Sequence, residues 1–576
     1  MSQDFLLVVA LDFGTSHSGF AYKYKEDLEC VYRDLWHDSP KSYPKTATHL
    51  LMSPDGNVEA WGYTAIKKLA ELRSKGSAKD YSFLKKFKMK LHKGERDNKG
   101  IYTIENGQKF YVIDLIAEYI RLIKDEALQE IKTNYANFVD EKEIRWCLTI
   151  PAIWKDEDKD LMRRAAVKAG LIGDSEEESE RLFLVLEPEA AAIFCQEIDK
   201  NTLTIGTHLM IVDCGGGTVD ITVHKVVQVR DGLKDVALDE IVTGTGGAFG
   251  STYVDESFLD YLADKLTEKA IEQFQEKEPL DYLKMIEEWE RTKCAFDPEK
   301  SGDIIYFPLG VKFYNLLKDN YPQVLKKLAD EQNGDDTDIY ISCETMEGIF
   351  KPTLDGIVQK VKEQFQELKN QSCDVMFLVG GFSTSPVLRK RMEQEFGNKV
   401  QNIVMPPRPG LAILGGAASF GVNPSAIRAR CSRLTYGFSY TPEFEEGVDP
   451  ESKRIPAKYL ENSEDLCLDR FGYLVKKGMR VPTDAERTEI FVPALSNQKG
   501  MDLEFFSTPR TDVRYTDDPS VTKLGELRVE MPFTQGGLNR QVEVTFYFGQ
   551  TEIKVHAKDM TSGEDFKTAI RFNSGY

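Results

Sequence analysis

The sequence predicts an α/β core made of two duplicated halves, followed by an all-β domain. Three observations carry this. A unit of apolar strand, glycine turn and further strand occurs twice, at residues 6–22 and 209–225. Short buried strands alternate with amphipathic helices over most of the first 424 residues, and past Pro424 strands follow strands with only Gly, Pro, Asn and Asp turns between them.

The second unit, Leu209 to Asp213, then Cys214-Gly215-Gly216-Gly217-Thr218, then Val219 to Lys225, reads as a β-hairpin with a tip suited to phosphate. Three consecutive glycines are expected to turn with positive φ and to bring bare N–H groups against an anion. Asp213, at the end of the incoming strand, then faces whatever cation accompanies that anion. The first unit repeats the device in Asp12-Phe13-Gly14-Thr15-Ser16, with Asp12 and Asp213 201 residues apart. An ordinary glycine hairpin explains either stretch alone and explains the matched pair poorly. Both turns run on into strand, whereas a Rossmann or P-loop unit would place a helix there.

Residues 39–114 differ in texture and read as an inserted subdomain, with turns at Pro40, Pro44 and Pro54-Asp55-Gly56 and the basic patch Lys85, Lys86, Lys88 and Lys90. That patch is either a solvated face or the source of a lysine for the phosphates. An amphipathic helix follows around Ile113 to Ile131, then a strand from Ile144 to Ile150 stopped by Pro151, then a helix from Asp156 to Ala169. The strand Leu182 to Leu186 runs into Glu187-Pro188-Glu189, where proline starts a helix. Glu187 is either a carboxylate aimed into the cleft of the aspartates or a charge capping the helix. The loop from Gly244 to Gly250 opens a helix and offers a further anion contact. Val375 to Val379 with Gly380-Gly381-Phe382 is strand, turn and proline-started helix, and residues 410–420 form a small-residue helix suited to close packing.

Composition narrows the function. The chain has 576 residues, 41% hydrophobic, with a net charge of −20, which opposes nonspecific binding to nucleic acid or anionic membrane, so neither is expected as a partner. No apolar run approaches the length of a membrane span, the start leads directly into a strand, and a cytoplasmic location is expected. The nine cysteines form no Cys-x-x-Cys pair and are read as reduced, Cys214 being a small buried hydrophobe or a redox-sensitive position. The seven histidines form no metal-ligand cluster.

Taken in order, five motifs resemble those of the actin-like ATPase superfamily and, within it, the heat-shock 70 kDa chaperones. Asp12-Phe13-Gly14-Thr15-Ser16 is similar to the first phosphate motif, Leu148 to Ala152 to the switch-proline strand, and Glu187-Pro188-Glu189 to the connecting motif. The second phosphate motif corresponds to Asp213 to Asp220, and the adenosine motif to Gly380-Gly381-Phe382-Ser383. Lys476 to Pro482, Leu524 to Leu527 and Gln541 to Phe546 resemble the family's peptide-binding β-sandwich. Tyr253 and Arg433-Leu434-Thr435-Tyr436 are most similar to the divergent branch of heat shock 70 kDa protein 12. The resemblance implies an actin-like ATPase fold of two duplicated lobes and four subdomains over residues 1–424, with insertions at 39–114 and 240–315. A linker at 425–432 and a β-sandwich at 433–576 without a helical lid would follow.

The same resemblance implies ATP or ADP with Mg²⁺ as cofactors. Asp12 and Asp213 would hold the metal through water. Gly14, Thr15, Ser16, Gly215, Gly216, Gly217, Thr218 and Gly250 would cradle the phosphates, and Glu290, Lys293, Gly380, Gly381 and Phe382 would line the nucleoside site. Lys86, Glu187, Asp213 and Thr218 take the catalytic roles, with Lys85 and Lys88 close enough to compete with Lys86, while Pro151 and Arg163 match the interdomain relay. Phosphoryl transfer needs positioning and charge neutralisation more than a strong nucleophile, so such a set suffices. The chain departs from the pattern at Cys294 and Thr384, where the two guanidinium planes around adenine would stand, and at Ile427, the one large apolar side chain of the linker. The expected function is a slowly hydrolysing, ATP-binding chaperone-like protein with weak interdomain coupling, whose β domain folds on its own and binds protein clients or peptide segments, with co-chaperones as further partners. A nucleotide-switched adaptor or a small-molecule kinase are the competing readings.

Overall fold

The computed structural model describes all residues except 1–4, 28, 41, 92–99, 104–106, 135–139, 199–202, 231–234, 370, 460–463, 549–551 and 570–576. Its framework is two sheets of matching topology. In the first, the hairpin of Leu7–Asp12 with His17–Tyr24 is extended on one side by the parallel strands Ile144–Ile150 and Leu182–Leu186 and on the other by Val31–Tyr32. In the second, the hairpin of His208–Cys214 with Val219–Arg230 is extended by the parallel strands Cys373–Val379 and Val400–Val404 and, beyond the hairpin, by Asp235–Gly247.

The leading strands are apolar on both faces because both faces are covered. Leu7, Val9 and Leu11 enter one core while Val8 and Ala10 enter another; Met210 and Val212 likewise part from Leu209 and Ile211. Val8, Ala10, Leu209 and Ile211 share a single central core, so the two halves meet there. Two helices fill it, Glu187–Ile198 and Ala412–Val422, and a Cβ on Gly416 would collide with the Ala190 carbonyl. Small residues are therefore required at that crossing.

Each half carries an insertion. Residues 49–85 form a three-stranded sheet under the helix Gly62–Ser74, with a small core of Leu51, Ala60, Ala65 and Leu69. From Ser251 onward, helices lead to the strand Ile304–Pro308, which pairs with Asp338–Ser342, so this unit closes at Ser342, beyond the boundary of 315 expected from sequence. No helix of the described residues is long and apolar enough to cross a membrane.

Past Leu434 two four-stranded antiparallel sheets face one another. Thr435–Tyr440, Arg470–Val475, Gly500–Thr508 and Thr522–Glu530 make one; Glu486–Phe491, Val542–Tyr547, Lys554–Asp559 and Asp565–Ala569 make the other. Phe438, Leu503 and Phe505 pack against Val544, Phe546 and Val555 in a core separate from those of the lobes. Among the described residues this region holds 3₁₀ turns and no α-helix.

The segment between the two regions departs from the sequence expectation. Residues 425–432 are not a bare linker, because Ile427–Cys431 is a strand of the second lobe's sheet, parallel to Asp235–Gly247 and antiparallel to Arg480–Pro482. Ile427, Ala429 and Cys431 are buried, and Arg430 makes a two-pronged ion pair with the buried Glu189, at 2.7 and 2.8 Å. Ile427 is the one large apolar side chain of the segment, and backbone pairing and paired charges supply the docking that apolar burial does not. Because Arg480–Pro482 pairs with this strand, the C-terminal β region does not keep all of its strand pairing to itself, contrary to the sequence expectation.

Candidate functional site

The two glycine turns face each other across the cleft between the lobes. A Cβ on Gly216 would strike Ser16 Oγ, and one on Gly217 would lie 2.8 Å from Thr15 Oγ1. Gly215, Gly216 and Gly217 are not in the positive-φ region expected from sequence; close approach of the opposite lobe is what excludes side chains there. Gly14 is likewise confined, by the backbone of His17. Ser16 Oγ is buried without a hydrogen-bond partner, a donor suited to an anion lying between the turns.

Four buried carboxylates surround this point: Asp12, Glu187, Asp213 and Asp220. Thr149 Oγ1 donates to Asp12 Oδ1 at 2.9 Å, and Lys45 Nζ stands 2.5 Å from Asp12 Oδ2. Burial pushes the Asp12 carboxyl up, but Lys45 and Lys88 outweigh it and hold it below the usual range. Asp213 is the reverse case. Its Oδ1 is buried without a partner, and burial, with Glu187 and Asp220 nearby, drives its carboxyl well above the usual range. Gly380, at φ 83°, leaves room for that oxygen, since a Cβ there would lie 2.5 Å from it.

Asp220, which closes the second turn, accepts from the Ile153 N–H at 3.2 Å and so ties the segment after Pro151 to the second lobe. Its Oδ2 is buried without a hydrogen bond, as is an amino group of Arg433, and the Arg433 charge opposes the rise that burial causes in its carboxyl. Asp220 and Arg433 fall within the second phosphate motif and the 433–436 stretch, but two opposite charges so far apart in the chain give no local signal that they meet.

Of the basic patch after Phe83, Lys88 and not Lys86 enters the cleft. Lys88 Nζ lies 3.0 Å from Glu187 Oε1 and over the rings of Phe13 and Trp154, at 5.7 and 5.2 Å. Lys86 sits at φ 56° and pairs with Glu256 on the surface, at 2.8 Å. The left-handed turn at Lys86 ends the strand Ser82–Lys85, and the 3₁₀ helix Phe87–Leu91 then buries Phe87, Lys88 and Leu91. Glu187 itself opens its helix at the end of the Leu182–Leu186 strand, and burial, opposed by Lys88 and reinforced by Asp12 and Asp220, pushes its carboxyl up to about 7. A group poised there can accept or return a proton near neutrality.

The remaining expected residues are placed as follows. The amides of Gly250, Ser251 and Thr252 donate to the carbonyls of Gly217, Gly215 and Gly216, so Gly250 buttresses the turn from behind and its N–H is spent within the protein. Thr218 closes the turn, its carbonyl accepting from the Gly215 N–H at 3.0 Å. Lys293 is held by Asp255 and Glu290 at 2.7 and 2.6 Å, beside Trp289, while Cys294 is exposed and contacts Glu290. Gly381 and Gly410 border the Tyr43 hydroxyl, which the first lobe sends across the cleft; Phe382 is buried beside Phe350. Thr384 Oγ1 donates to the Gly381 carbonyl. Arg163 reaches the C-terminal β region, where Glu552 accepts two hydrogen bonds at 2.6 and 2.5 Å.

A water-held divalent cation fits these donors, since Asp213 keeps an unsatisfied buried oxygen; among the described residues no three Asp, Glu, His or Cys side chains converge as direct ligands.

Comparison with known proteins agrees with this architecture. The family model described as Hsp70 protein matches residues 64–310. Heat shock 70 kDa protein 12A of Mus musculus is 31% identical, over 99% of this chain and 92% of its own length. The Homo sapiens proteins of the same kind are similar: 12A at 30% over 99% and 92%, and 12B at 29% over 99% and 91%. The chain therefore belongs to the Hsp70 family, as a divergent member of the actin-like ATPase superfamily similar along its length to heat shock 70 kDa proteins 12A and 12B.

Proposed function

We propose that the protein binds ATP with Mg²⁺ between its two lobes, hydrolyses it slowly, and holds protein segments through its C-terminal β region in the cytoplasm. The observation that carries this is the cleft itself, where two glycine turns from different lobes oppose one another beneath the Lys88–Glu187 pair and the unpaired Asp213 oxygen. Asp213 would hold the metal through water, Asp12 being already taken by Lys45 and Thr149, and the metal neutralises phosphate charge when bound. Glu187 orients and deprotonates the attacking water, Lys88 faces the transferred phosphoryl group, and Thr15, Ser16 and Gly215 to Thr218 receive the phosphates. The family's use of nucleotide supports the reading, and the paired sheets past Leu434 support an edge or groove that takes up extended peptide.

Coupling between the two regions is weak in this reading, for a reason other than a poor linker. Ile427–Cys431 is an interior strand, paired on both sides and locked by Arg430–Glu189, while Arg163–Glu552 and the 2.7 Å bond of Tyr436 to Asp156 fix the first lobe to the same β region. A switch needs two arrangements within a few kcal/mol of one another, and so many simultaneous contacts favour one. Phosphate release is expected to be slow, unaffected by glycerol or hexoses and little changed by unfolded peptide, while release of a labelled peptide changes less than about threefold between ATP and ADP. Phosphorylation of a sugar, or tenfold faster peptide release in ATP, contradicts the corresponding part.

A further inference from the structure

Lys45 belongs to none of the motifs that frame the cleft, yet its ammonium stands among the carboxylates. Its side chain is 9% exposed, its partner Asp12 3%, and the two are 2.5 Å apart. The position is built by the backbone. Thr46–Ala47 pairs with His17 and Ser18 immediately after the first glycine turn, and Gly19 lies so close to the Pro44 carbonyl and to Lys45 that no side chain fits between. With Thr149 on its other oxygen, Asp12 is satisfied by groups of the chain itself. Asp213 is not. A divalent cation shared evenly by the two carboxylates would have to displace a buried ammonium that already holds one of them.

We propose, on the reading that this cleft holds a nucleoside triphosphate, that Lys45 is a built-in cation of the phosphate site. It neutralises Asp12 in place of a metal and leaves the divalent ion to Asp213, so that the triphosphate is held with little dependence on magnesium. An ammonium on a buried side chain is a point charge that binds phosphate well and does not leave with a chelator. Without it, four buried carboxylates would face the polyanion with Lys88, among the described residues, as the one lysine paired among them.

Calorimetric titration of the full chain with ATP, in excess magnesium and then in EDTA, tests this. The Kd of the unmodified protein is expected to change by less than about tenfold on removing magnesium, that of Lys45→Met by more than about tenfold, and that of Lys45→Arg to follow the unmodified protein. A larger magnesium dependence in the unmodified protein, or a Lys45→Met variant that behaves like it, overturns the role given to Lys45 while leaving nucleotide binding intact. Absence of ATP binding by the unmodified protein in both solutions overturns the nucleotide reading and this proposal with it. Should Lys45→Met fail to fold by circular dichroism, the unmodified protein's own ratio and that of Lys45→Arg decide.

Discussion

Asp12 and Asp213 occupy the same place in two copies of one hairpin, each at the end of a buried leading strand and before a glycine turn. Their surroundings make them opposites. Asp12 has a lysine on one oxygen and a threonine on the other and stays ionised, whereas Asp213 has a buried oxygen with no partner, acids for neighbours, and a carboxyl that resists ionisation. A repeated motif thus fixes where a carboxylate stands and leaves its charge to the residues that tertiary structure brings beside it. One member is a structural ion pair; the other is prepared for a ligand.

Removing the Asp12 charge should cost the most. Asp12→Asn leaves Lys45 charged and nearly buried without its carboxylate, a change that typically destabilises by roughly 3 kcal/mol or more. Denaturant unfolding without nucleotide should show this loss, while Asp213→Asn, which removes an unpaired buried acid, should leave stability unchanged or raise it. Equal losses in both variants would erase the contrast.

For turnover the ranking reverses. Asp213→Asn should lower phosphate release by about 100-fold, equivalent to ~2.7 kcal/mol in the barrier, because it removes the carboxylate charge left for the metal. The assay is a single-turnover measurement with excess enzyme, and unchanged release would remove Asp213 from the mechanism.

Much of this arrangement could be read from the sequence, and the exceptions share a cause. The strands Ile144–Ile150 and Leu182–Leu186 fell where apolar runs and proline placed them, and the duplicated hairpins stand in duplicated sheets, because local periodicity and burial agree in those segments. Lys86 was preferred over Lys88 because spacing cannot reveal that the chain turns left-handed at Lys86 before a 3₁₀ helix directs Lys88 inward. Lys45 gave no signal, since its partner is 33 positions away and its neighbours look like an ordinary loop. The triple glycine was rightly singled out for the wrong reason, crowding by Thr15 and Ser16 and not positive φ. Residues 425–432 looked polar and loose because backbone pairing leaves no trace in composition.

Glu187 gives the finest test, because it lies between the two aspartates in character: paired like Asp12, yet raised like Asp213. With its carboxyl at about 7 against an ordinary 4.5, the folded protein keeps a proton that the unfolded chain has lost across that window, so this group's contribution to stability falls as pH rises from about 4.5 to about 7. Catalysis runs the other way. Only ionised Glu187 can take a proton from water, so single-turnover phosphate release should climb about tenfold per pH unit below 7 and level off above it. Glu187→Gln should be slow and flat across the range. Burial raises this carboxyl and Lys88 restrains it, so Lys88→Met should move the inflection to higher pH as well as slow the reaction. An inflection that stays in place in Lys88→Met would mean that the ion pair does not set the acidity of Glu187. One near 4.5 in the unmodified protein would mean that burial does not raise it.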